Sequence, residues 1–108
     1  MNGKRFNHLL QCRTDSMKKT LSNKSKEYSS NVDKLHNFKR AAIDANTSPE
    51  KALMGMLLKH RISILDIIDK LDKGIVPTKA LLDEKIGDYI NYLVLLEALI
   101  KERIEEKE

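Results

Sequence analysis

Residues 81–100, LLDEKIGDYINYLVLLEALI, decide the fold of this chain. Apolar residues recur there at helical spacing, with no strand alternation. At about 100° per residue, Glu84, Asp88 and Asn91 fall within an arc of roughly 60°. Leu95, Ala98 and Leu99 continue the arc as hydrocarbon. A polar cluster that runs into an apolar stripe marks a site at the edge of a core. From Tyr89 to Ile100 the helix is apolar nearly all round, and such a helix has to be covered on every side. A chain of 108 residues has few helices to do this. A second copy is therefore expected to cover part of it, in a twofold dimer or a higher even oligomer.

The flanking sequence sets the neighbouring elements. Thr78 is placed to cap this helix, which is expected to run to about Arg103 before the charged tail frays. Gly74 is a favoured helix stop, and residues 75–77 form a short connector. A third helix then spans about 49–73. Ser48 can cap it with Pro49 at its first position, or Thr47 can form a capping box with Glu50. Because the connector is short, the two long helices should pack antiparallel. Further back, Leu35, Phe38, Ala41, Ala42 and Ala45 suit a short helix over about 34–45. Residues 26–33 are polar and serine-rich, as in a loop. Phe6, Leu9, Leu10, Arg13, Met17 and Leu21 give a first helix over about 4–25 a narrow stripe. The expected fold is a single all-α domain over 1–108, resembling a four-helix bundle.

Composition agrees. Apolar residues make up 41% of the chain and charged residues 33%, with only 4 glycines and 2 prolines, which suits helices rather than a turn-rich β fold. No apolar run approaches the roughly 18 residues needed to span a bilayer. No apolar signal core follows Lys4 and Arg5, so a cytoplasmic location is expected, with no membrane partner. The single Cys12 cannot form an internal disulfide. The net charge of +4 is uneven: residues 1–54 hold eleven basic and five acidic side chains, whereas residues 55–108 hold nine and eleven. A basic front half implies an anionic partner or a solvated lysine-rich helix. The basic residues are too spread out, and no helix-turn-helix is evident, for sequence-specific DNA binding.

Two groups of residues carry candidate chemistry. Lys59, His60 and Arg61 lie on the third helix. There Leu53, Leu57, Ile64, Ile67, Ile68 and Leu71 mark an apolar face with His60 in its middle and Arg61 on its broad arc. A buried arginine has to be paired, and Glu84, Asp88 or Glu97 on the antiparallel neighbour are the partners to expect. The set is either a register-fixing ion pair or an anion site, with Asn91 and Tyr92 beside it. The second group is Lys24, Lys26, Tyr28, Asn37 and Lys39. Tyrosine can stack on a base and lysine can hold phosphate as a point charge, although an ordinary solvated loop would look the same. Glu84 and Asp88 are candidate ligands for Mg²⁺, which prefers hard oxygen donors.

The segment DEKIGDYINYLVLL resembles the last metal-binding helix of the all-α nucleoside triphosphate pyrophosphohydrolases, the MazG and dimeric dUTPase group. It is more similar still to small phage proteins of the nucleotide-modification-associated type. Lys26-Glu27-Tyr28, Lys59 with Arg61, and Glu84 with Asp88-Tyr89-Ile90-Asn91-Tyr92 carry that likeness. It implies a helical fold, dimers or tetramers, and a nucleotide ligand. It departs from the pattern at the Glu-Glu-x-x-Glu cluster, because residues 52–61 hold no carboxylate. It departs again at Glu-x-x-Asp, because Lys85 stands where the glutamate would be. The expectation is a phage-type helical oligomer that binds a nucleotide or phosphorylated small molecule without hydrolysis and needs no cofactor, sequestering a host immune signal. The alternatives are a Mg²⁺-dependent pyrophosphohydrolase or nucleotide-modification accessory protein, and an inhibitor of a host or defence protein.

Overall fold

The structure, a computed structural model, describes residues 1–27 and 35–108, apart from the side chains of residues 23–27. It is all-α: α1 Gly3–Glu27, α2 His36–Asp44, α3 Pro49–Asp72 and α4 Lys79–Glu106. No strand occurs among the described residues. The chain forms two units, Met1–Lys34 and Leu35–Glu108.

In the first unit the Asn2 side chain accepts the Arg5 amide N–H at 2.9 Å and so starts α1. Phe6, Leu9 and Leu10 are exposed. Cys12 is exposed too, with its sulfur 3.5 Å from His8 Nε2 one turn back.

In the second unit, local chemistry sets the end of α2, both ends of α3 and the start of α4. α2 stops at Asn46, which takes a left-handed φ of 52°. The Thr47 amide then closes back on the Ala42 carbonyl at 2.9 Å, in the Schellman arrangement. Ser48 Oγ accepts the Lys51 amide at 3.2 Å with Pro49 in the first turn of α3, so Ser48 rather than Thr47 is the cap. α3 ends as α2 does. Gly74, at φ 80°, lets the Ile75 amide reach the Lys70 carbonyl at 2.9 Å. Gly74 is the position where a side chain would be strained. Thr78 Oγ1 accepts the Leu81 amide at 3.1 Å to begin α4, which runs a few residues beyond Arg103.

α3 contacts both α2 and α4. The core gathers Leu35, Phe38, Leu53 and Leu99, with Tyr92, Leu95 and Leu96 packed against it. The direction of the two long helices follows from their partners. Glu50 near the start of α3 meets Arg103 near the end of α4, whereas His60 meets Asp88. The pair is therefore antiparallel, as the short connector requires.

The Glu50–Arg103 link has a testable consequence. Two guanidinium N–H groups donate to the two carboxylate oxygens, one of them at 2.9 Å. That hydrogen bonding holds the Glu50 carboxyl below the ordinary glutamate range, against a smaller upward push from burial. The contribution of the pair is then present above the unfolded-chain value of about 4.3 and is lost as pH falls through the lower folded value. Arg103→Ala should lower Tm slightly at neutral pH and leave wild type and variant alike in acid. Thermal melts from pH 7 down to pH 2 would check this; a constant difference in Tm across that range contradicts it.

Candidate functional site

The site is built on the facing sides of α3 and α4. His60 is one turn beyond the buried Leu57, which carries it to the edge of the core. Its side chain is 16% exposed, and its Nδ1 lies 3.8 Å from Asp88 Oδ2. The imidazole also faces the Tyr92 ring, with centroids 4.5 Å apart and planes tilted by 39°. Tyr92 meets Phe38 of α2 edge to face at 6.0 Å. One tyrosine thus joins α2, α3 and α4, and such ring pairs contribute about 0.5–1.5 kcal/mol beyond their burial.

Glu84, Asp88 and Asn91 share a face, as their spacing requires, but they are graded from water to core. Glu84 is well exposed and lies 3.8 Å from its neighbour Lys85. Asp88 is half-buried beside His60. Asn91 is buried, and its Oδ1 has no hydrogen-bond partner. A buried acceptor left unpaired costs about 1–3 kcal/mol.

Toward the α3–α4 connector lies an open cavity of about 380 Å³. Ile67, Ile75, Val76, Pro77 and Leu81 provide its apolar lining; Ser63, Asp66, Lys70, Thr78 and Lys85 provide its polar groups. Ser63 and Lys85 are each three residues from His60 and Asp88. On helices that is one turn, so the cavity continues the same interhelical edge. Lys59 belongs to the same row: 59, 63, 66 and 70 repeat at helical spacing, and the Ser63 hydroxyl donates to the Lys59 carbonyl at 3.2 Å. Asp66 and Lys70 carry opposite charges on that row, while Lys85 faces it from α4.

Several expected site residues are placed differently. Arg61 is exposed and makes no ion pair among the described residues, so it is not the buried register-fixing arginine. It lies on the Met54–Leu58–Leu65–Ile68 side of α3, well round the helix from the cavity row. Glu97 is exposed and pairs with Lys101 one turn on; that lysine holds its carboxyl below the ordinary range. Lys39 reaches Glu102 at 2.5 Å and ties α2 to α4, whereas Asn37 is exposed. The side chains of Lys24 and Lys26, and all of Tyr28, lie outside the described residues, as does most of the loop expected over 26–33.

Among the described residues, no three His, Cys, Asp or Glu side chains gather as a metal site needs. Glu84 and Asp88 are one turn apart on α4, and His60 beside Asp88 does not complete a group of three. The cavity lysines Lys70 and Lys85 were missed at the sequence level. For Lys70 the available signal is the polar row 59–63–66–70 at helical spacing; Lys85 has none of that kind. Comparison of the chain with protein-family models, curated proteins and solved structures gave no match. What is shown of the chain is its all-α fold.

Proposed function

We propose that this chain binds a nucleotide or another phosphorylated small molecule at the α3–α4 edge and does not hydrolyse it. The observation that carries the reading is the cavity itself, with Lys70 and Lys85 among the groups around an apolar lining. Its volume is within the range of small-molecule sites, about 300–1,000 Å³. The apolar lining suits a base or other flat group, and lysine ammonium groups hold phosphate as point charges. Lys59 adds a third cation on the same row, and His60 with Asp88 borders the site one turn further along. Tyr92 supports the site by holding its ring against His60 at a tilt of 39°. No helix of the described residues is long and apolar enough to cross a membrane. The likeness of Glu84 and Asp88-Tyr89-Ile90-Asn91-Tyr92 to phage nucleotide-modification-associated proteins favours a nucleotide, and a biological use in sequestering a host nucleotide signal.

A thermal-shift screen against mono-, tri- and cyclic nucleotides, with and without Mg²⁺, tests this. A ligand at about 100 times its Kd adds about 2.7 kcal/mol of native stability, which raises Tm by several degrees. The expected result is such a shift for one nucleotide class without Mg²⁺, lost in Lys70→Ala and in Lys85→Ala. A shift that both variants retain would remove this site. A shift seen only with Mg²⁺ would instead favour Glu84 and Asp88 as metal ligands, and with them the hydrolase reading.

A further inference from the structure

α3 carries a second apolar stripe that its own unit leaves uncovered. Met54, Leu58, Ile62, Leu65 and Ile68 are each between 43% and 52% exposed. At about 100° per residue they fall within an arc of roughly 120°, on a different face from the buried Leu53, Leu57 and Ile67. Charge at the two ends of the stripe is opposite: Lys51 stands at its start, and Asp69 and Asp72 stand at its end. None of these three makes an ion pair among the described residues. Arg61 is the only charge within the stripe.

We infer that this stripe is an interface with a second copy of the chain, the two α3 helices packing antiparallel about a twofold axis near Arg61 and Ile62. The charge order selects both the occupant and the direction. In a parallel pair Lys51 would face Lys51 and Asp72 would face Asp72, whereas Arg61 comes near its own copy in either direction and does not select one. In the antiparallel pair Leu58 faces the partner's Leu65, and Met54 faces the partner's Ile68. Lys51 then reaches the partner's Asp72, twice by symmetry. The helix dipoles also oppose. An isologous contact needs this kind of self-complementary patch. Ile62 sits beside its own copy at the axis. The Arg61 stem lies over the seam with its guanidinium in water at the rim. The inference does not depend on the ligand reading, because stripe and cavity occupy different faces of α3.

Sedimentation equilibrium of the full chain over a wide concentration range tests it. Wild type should dimerise. Leu58→Asp should be monomeric with its helical circular dichroism kept, since Leu58 is half in water in the single copy, and its Tm should no longer rise with protein concentration. Lys51→Asp and Asp72→Lys should each weaken the dimer by about tenfold or more, two contacts being reversed per dimer. The combined Lys51→Asp, Asp72→Lys chain should recover the wild-type constant. A monomer at every concentration overturns the inference. So does a dimer that Leu58→Asp and the single reversals leave unchanged, or a double reversal no better than the singles.

Discussion

Leu53→Ala is expected to lower the stability of the Leu35–Glu108 unit by about 2–5 kcal/mol, the usual range for truncating a buried leucine. Leu53 is the one large side chain among the described residues that is fully buried, at 0% exposure. It clusters with Leu35 and Phe38 at α2 and with Leu99 of α4, so its loss opens a void where three helices meet. The cost has a transfer part and a cavity part, and little of the cavity can collapse when backbone approaches from three sides. Small domains hold only about 5–15 kcal/mol in total, and each kcal/mol moves Tm by about 4–8 °C at this size. The variant should therefore melt at least about 8 °C lower. Urea denaturation followed at 222 nm measures it. Met56→Ala, at a more exposed position on the same helix, is the control and should cost far less. Near-equal losses for the two variants would contradict the described core.

Asn91→Leu should move stability the other way, raising it by about 1–3 kcal/mol, the penalty of an unsatisfied buried polar atom. Asn91 is buried, its Oδ1 is unpaired, and leucine keeps the branched outline of four heavy atoms without the desolvation cost, its bulkier methyl groups offsetting part of the gain. Asn91→Asp is the opposing variant: it buries a carboxylate at the same place and should destabilise. A rise for leucine together with a fall for aspartate identifies the orphan acceptor as the cause. Destabilisation by both would mean that the Asn91 carbonyl is satisfied in solution, as by an internal water with several polar partners. A polar group retained at a stability cost is what a functional or register-setting position looks like. The nucleotide response of Asn91→Leu then decides between those two roles.

The parts of this fold that could be read from the sequence are those set by neighbours in the chain. Gly74 and Thr78 act through their own φ or side-chain oxygen, and both helix ends fell where those residues required. For Ser48 and Thr47 the choice needed coordinates, because both cap patterns are satisfied in the same five residues. Arg61 was misplaced for a different reason. α3 is apolar on two faces, Leu53–Leu57–Ile67 and Met54–Leu58–Leu65–Ile68, and a helical wheel does not say which one enters the core. Only packing against α2 and α4 decides, and it leaves Arg61 in water. Glu97 was misread in the same way on α4. The meeting of His60 with Asp88 was within reach, since both lie on inward arcs of antiparallel neighbours. The cavity was not, because it depends on how far apart the connector sets the two helices, which no local pattern records.

Binding of a phosphorylated small molecule in the edge cavity should leave a residue-level signature. The most direct measurement is a two-dimensional amide NMR titration of the full chain with the nucleotide class that gives the largest thermal shift. Saturable shifts should concentrate at Lys59–Lys70 of α3 and Ile75–Asp88 around the start of α4, and be absent in Lys85→Ala. Saturable shifts confined to other residues, or none for any nucleotide at millimolar concentration, would contradict it.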